Sequence, residues 1–263
     1  MTKKYFHFYF ISILIFSNQS YSQVEKFPQD FSNFFKVGGD IFTAPLHFDG
    51  KDWIIFSSTI AITASALTVD EDLRKFALRS RSDFNNNLFN IDKYYFFPAV
   101  SASIVGIYGY GLFAENNNFR KLGLKLAEST AYASLINIAL KSIIGRKRSD
   151  VNEGNWKFKP FSFDPANSSL PSGHTTLAFA YSTIMAKEID NIYWKIGWYS
   201  AATLVGFARV YHDKHWFSDI ILGGALGYFV GDFVTDHPTN NEKEKQKFSL
   251  TYSFNQIGFI YSF

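Results

Sequence analysis

The sequence predicts an all-α protein, a helical bundle of about six core helices with a short C-terminal β-like tail. Two observations carry this. Apolar segments of helical length recur between Trp53 and Val234, and none of them alternates polar and apolar residues as a half-buried strand would. Strict alternation starts only after Thr239.

Composition sets the outer limits. A chain of 263 residues that is 47% hydrophobic holds enough apolar material for one sizeable core. Its net charge of +3, with no basic stretch interleaved with aromatics, gives no footing for nucleic acid. The chain has no cysteine, so disulfides, Cys-ligated zinc and thiolate phosphatase chemistry are excluded.

The elements follow in order. Met-Thr-Lys-Lys and the apolar run Tyr5 to Phe16 have the layout of a signal peptide, and Ser20-Tyr21-Ser22 supplies small residues for cleavage after Ser22. Residues 1–22 are therefore expected to be a signal peptide, 23–238 the helical domain, and 239–263 a charged linker and β-like tail. An uncleaved membrane anchor is the alternative, and either way the body is exported. Gln23 to Lys51, with two prolines and three glycines, reads as irregular structure with short amphipathic pieces.

Trp53 to Val69 runs 17 residues without a charge and stops at Asp70-Glu71-Asp72, read as a solvated turn or helix N-terminus. No His or further carboxylate lies at ligand spacing from these acids, so no metal site is expected there. Tyr94 to Ala114 is free of Asp, Glu, Lys and Arg over 21 residues and long enough to cross a bilayer.

Phe119 to Gly145 keeps an apolar face through Leu122, Leu126, Ala133, Ile136 and Leu140, which Lys141 interrupts. Gly145 weakens the helix end, so its last turn is expected to unwind and leave Arg148 turned toward a ligand. Arg146 and Lys147 read as cations favoured at a helix C-terminus. Ser149 to Asn167 is a polar loop of the length binding loops have.

Leu170-Pro-Ser-Gly-His-Thr-Thr then opens into the apolar run Leu177 to Ala186. Ser172 can cap that helix, and the free amides of its first turn make an anion site to which His174 can donate a proton. A plain helix cap accounts for the same residues. Tyr193 to Ala208 is a further apolar helix, and Ile220 to Val234 is the Gly- and Ala-rich last one.

Between those two helices lies the stretch that carries chemistry. Arg209 closes one helix, and His215 sits four residues before Asp219 at the start of the next, so imidazole and carboxylate share one helical face. An Asp so placed fixes the tautomer and leaves the other ring nitrogen basic, which makes His215 a candidate nucleophile. His212, with Trp216 four residues on, has no such partner and suits a solvated or supporting role. In the tail, Phe248 to Phe254 alternates, slips at Gln256 and resumes to Phe263, which predicts one bulged strand or a small hairpin without a catalytic part.

Taken together, Lys141-x6-Arg148, Pro171-Ser-Gly-His174 and Arg209-x5-His215-x3-Asp219 resemble the type 2 phosphatidic acid phosphatase family, which shares its site with class A acid phosphatases and vanadium haloperoxidases. The resemblance covers Lys141 to Asp219 by motif. The chain departs from it at Ser149, where the family usually has Pro, at Ala208, where it has Ser, and at Phe217, where Pro is frequent.

The resemblance implies that His215 attacks phosphorus, that Asp219 holds its ring, and that His174 is the general acid and then the base. It further implies that Lys141, Arg148, Arg209, Ser172 and the Gly173 amide bind phosphoryl oxygens. No metal or other cofactor is expected. The expected substrate is a phosphorylated lipid or a small phosphomonoester. The first choice is a lipid phosphate or diphosphate phosphatase at the periplasmic face of the inner membrane. The others are a soluble periplasmic acid phosphatase and, behind both, a vanadate-dependent haloperoxidase. Abundant Phe, Trp and Tyr lean the choice toward membrane association.

Overall fold

The computed structural model describes residues 21–94, 97–237, 248–253 and 256–261. Residues 1–20, which hold most of the expected signal peptide, and the linker from 239 to 247 lie outside them.

The described body is all-α. In chain order its helices are α1 (Tyr21–Val24), α2 (Phe27–Thr43), α3 (Gly50–Ala66), α4 (Asp70–Arg79), α5 (Asp83–Phe89), α6 (Phe97–Phe113), α7 (Asn117–Ile144), α8 (Gly173–Glu188), α9 (Ile192–Tyr211) and α10 (Phe217–Asp236). The segment read as irregular before Lys51 is therefore largely α2, entered at Pro28 in its first turn. Side chains set several of the other starts. Asp49 caps α3 in a box with Asp52, Asn116 caps α7, and Asn191 caps α9 through the amides of Tyr193 and Trp194.

Helices α7, α8, α9 and α10 form the centre, with α6 and α2 against α7 and α3 against α10. Leu126, Ala133, Leu177, Ala180, Ile184, Val230 and Val234 fill the core between them. Helices α8 and α10 approach closely along Gly223, Gly227 and Gly231. A Cβ there would stand 2.7 Å from the Ser172 carbonyl, 2.3 Å from that of Thr176 and 2.8 Å from the Thr183 side chain.

The outer faces are apolar. Ile54, Phe56 and Ile62 on α3 and Ile192, Ile196 and Phe207 on α9 are exposed. Gly50–Arg79 and Phe217–Asp236 are each long and apolar enough to cross a membrane. Asp83–Lys93 and Pro98–Phe113, bent by 51°, make a third if they form one span. The tail is a two-stranded antiparallel hairpin, β1 (Phe248–Ser253) and β2 (Gln256–Tyr261), with Phe248 opposite Tyr261 and Ser253 opposite Gln256. Of the two forms the alternation allows, the hairpin is the one found.

Candidate active site

Four helix ends meet at one end of the bundle: the C-termini of α7 and α9 and the N-termini of α8 and α10. Helix α7 stops at Ile144 because Gly145 takes a left-handed conformation, φ 63°, and a Cβ there would lie 1.7 Å from the Lys159 carbonyl. Past it the chain is extended, and Arg148 lies outside the helix with a half-buried side chain. Helix α8 starts at Gly173 with Ser172 at its N-cap position, but the serine hydroxyl does not cap it. That hydroxyl instead accepts from Thr175 Oγ1 at 2.9 Å, and the Ser172 amide donates to the Asp219 carbonyl at 2.9 Å. The first-turn amides of Gly173 and its neighbours have no acceptor within the helix and point outward.

His215 is 2% exposed, and its Nδ1 lies 3.3 Å from Asp219 Oδ2. The same oxygen accepts from Ser169 Oγ at 2.5 Å and the Trp216 amide at 2.9 Å. A carboxylate held this way keeps Nδ1 engaged and leaves Nε2 as the outward nitrogen. The turn between Arg209 and His215 is fixed from both ends. The Lys214 and His215 amides donate to the Arg209 carbonyl, and Asp213, at φ 54°, is gripped by Arg74 at 2.6 and 2.8 Å.

The cations converge on the same place. Lys141 Nζ donates to the Ser168 carbonyl at 2.5 Å, Arg148 reaches the hydroxyl of the same serine at 3.2 Å, and Arg209 pairs with Asp92 at 2.7 Å. Arg209 Nε is buried with no hydrogen-bond partner among the described residues, a donor suited to an anion. Burial, then the charges of Arg148 and Arg209, push Lys141 down to about 7. Burial first, then Arg209, takes His174 down to about 4. It also feels Arg148 and Lys141, with Asp92 opposing. Burial takes His215 down to about 3 against the pull of Asp219. Both imidazoles are thus neutral near pH 7, as a nitrogen nucleophile must be.

Each histidine would bind a proton near 6.5 in an unfolded chain but only near 4 or 3 in the folded one. Across that interval the unfolded state binds more protons, so stability falls as pH drops from 6.5 toward 4. The expected Tm declines over this range in phosphate-free buffer and recovers when inorganic phosphate is added. A His174→Asn variant should show a shallower decline, and equal slopes would contradict the shifts.

The structure thus places Lys141, Arg148, Ser172, Gly173, His174, Arg209, His215 and Asp219 around one locus. Two readings are corrected. Arg146 is not a solvent-facing cation at a helix end but fully buried, bonded to Asp70 and Asp219, whereas Lys147 does lie outside, beside Glu153. Asp70 is not part of a solvated turn. It is fully buried at the start of α4 and accepts from the Ser218 amide and hydroxyl. Asp92 and Ser169 were missed as well, and no local pattern marks either, since each meets its partner 50 or more residues away. His212 lies beside the site, its Nε2 3.2 Å from the Phe89 carbonyl and 3.8 Å from Asp92. Among the described residues no three His, Cys, Asp or Glu side chains are grouped to hold a metal ion.

Residues 122–243, which contain all eight site residues read from the sequence but not Asp70 or Asp92, match the PAP2 superfamily. This is the family that the three motifs resemble. Lipid A 1-phosphatase of Porphyromonas gingivalis is 26% identical over 189 residues, 68% of this chain and 39% of that protein. Lipid A 1-phosphatase of Rhizobium etli is 32% identical over 108 residues, 40% of this chain and 46% of that protein. Undecaprenyl-diphosphatase of Sulfolobus acidocaldarius is 25% identical over 166 residues, 56% of this chain and 75% of that protein. The chain thus spans less than half the length of the lipid A 1-phosphatases it matches. The fold is that of the transmembrane PAP2-type phosphatidylglycerolphosphate phosphatase of Bacillus subtilis, with a TM-score of 0.55 at 24% identity over 69% of this chain and 92% of that one. LpxE of Aquifex aeolicus gives a TM-score of 0.51 at 16% identity, over 64% and 96%.

Proposed function

We propose that this helical domain hydrolyses a phosphate or diphosphate ester of a lipid at the periplasmic face of a membrane, without a metal, through a phosphohistidine on His215. The observation that carries the reading is the convergence of an Asp-held imidazole, a second imidazole and three cations, one of them with a buried unpaired N–H.

In the first step His215 Nε2 attacks phosphorus, the P–O ester bond breaks, and the leaving oxygen takes a proton from His174. His174 acquires that proton when a phosphoryl anion binds beside it, since the anion offsets the cations that depress the imidazole. In the second step His174 accepts a proton from water as that water attacks the phosphohistidine, and inorganic phosphate leaves. Lys141, Arg148, Arg209 and the α8 amides hold the phosphoryl oxygens throughout, where fixed donors stabilise charge that spreads in the transition state. The lipid part of the proposal is supported by the apolar spans and outer faces, and by the lipid names of the relatives.

The test is phosphate release by the full chain in detergent micelles containing EDTA. A glycolipid 1-phosphate, phosphatidate, phosphatidylglycerophosphate and undecaprenyl diphosphate are compared with a soluble alkyl phosphate. The best lipid is expected to exceed the soluble ester in kcat/KM by at least about tenfold, or about 1.4 kcal/mol. A soluble ester that matches every lipid would instead favour a broad-specificity acid phosphatase.

A further inference from the structure

Arg146 stands behind the reacting groups, and its bonding is saturated. Nε donates to the Asn155 carbonyl at 3.1 Å, and one terminal nitrogen donates to that carbonyl at 2.8 Å and to Asp70 Oδ2 at 2.7 Å. The other donates to Ser218 Oγ and to Asp219 Oδ1, both at 2.6 Å. All five N–H donors of the guanidinium are used, and its plane lies against the rings of Phe158 and Trp216, 5.7 and 5.5 Å from their centroids. No side chain without that planar fork could make the same set.

Asp219 is left with one arrangement. Arg146 occupies Oδ1, so Oδ2 is the oxygen that faces His215, with Ser169 and the Trp216 amide beside it. Asp70 supplies the second counter-charge and also accepts from the Ser218 amide and hydroxyl, which ties the start of α4 to the start of α10. A carboxylate fully enclosed in protein that lost its guanidinium would either turn its free oxygen to another donor or take up a proton. Either change would release the His215 ring.

We propose that Arg146 is a positioning residue for the reaction, setting the rotamer and charge of Asp219 and through it the attacking nitrogen of His215, with Asp70 anchoring the guanidinium. This rests on the reading of His215 as the nucleophile.

The experiment compares Arg146→Lys and Asp70→Asn in the full chain, each alone and in an Asp219→Asn background. It measures kcat, the inhibition constant of inorganic phosphate and the folded fraction. Arg146→Lys is expected to lower kcat about 10–100-fold, the range seen when outer partners of functional histidines are removed. The phosphate inhibition constant should stay within about threefold, because Lys141, Arg148 and Arg209 remain in place. In the Asp219→Asn background the same change should cost little more, as expected of residues acting in series.

A kcat loss of equal size in both backgrounds would overturn the proposal. So would kcat and phosphate affinity falling together with the folded fraction, which would make Arg146 a structural staple only. If the arginine variant fails to fold, Ser218→Ala, which removes one acceptor of the fork, carries the same comparison. A His215→Ala protein that still turns over would defeat the function reading itself, a result separate from these outcomes.

Discussion

Alanine at position 215 is expected to lower phosphate release by about 10⁴-fold or more, the scale set by removing a covalent nucleophile from a site whose other groups remain. His215 is enclosed, and its Nδ1 is engaged by Asp219, so no neighbouring side chain can substitute for Nε2 without moving a helix end. The variant should still bind inorganic phosphate, since the three cations and the α8 amides do not depend on it. Two measurements check this: steady-state release, and alkaline quenching of wild type turning over ³²P-labelled substrate. The wild type should retain a label that acid removes and alkali does not, and the variant should retain none. Equal labelling of both would move the covalent step elsewhere.

The second large effect concerns His174. Its loss should reduce kcat by about 10²–10⁴-fold on an alkyl phosphate, the range for a single general acid. On an aryl phosphate such as p-nitrophenyl phosphate the first step should be far less affected, because a phenolate of low basicity leaves without a proton. The second step still lacks its base. His174→Ala is therefore expected to give a burst of nitrophenol followed by slow turnover, with the phosphohistidine accumulating. Loss of the burst along with the steady state would mean that His174 does not serve as the acid.

The charged groups of the three motifs are legible in the sequence because each is local: a helix end, a spacing of four, a Pro-Ser-Gly turn. The helices themselves are legible from their apolar periodicity, with boundaries moved by caps such as Asn116 and Asp49. What sequence does not show is pairing across distance. Arg146 meets Asp70 and Asp219, 76 and 73 positions away, and a buried guanidinium looks in sequence like any basic residue near a helix C-terminus. Asp70 misleads for the same reason. An acid at the end of an apolar run reads as the exit to water, and only the fold shows that the run turns inward at that point.

The seam of Gly223, Gly227 and Gly231 bears on how the chemistry ages with temperature. It lets α10 lie almost backbone to backbone on α8, with His174 in the first turn of α8 and His215 two residues ahead of α10. In the proposed mechanism the spacing of the two imidazoles therefore follows from how closely this helix pair packs and from the turn that α10 anchors. Reactivity and cohesion are drawn from one set of contacts, and heating that loosens the helix pair would detune the reaction before the chain melts.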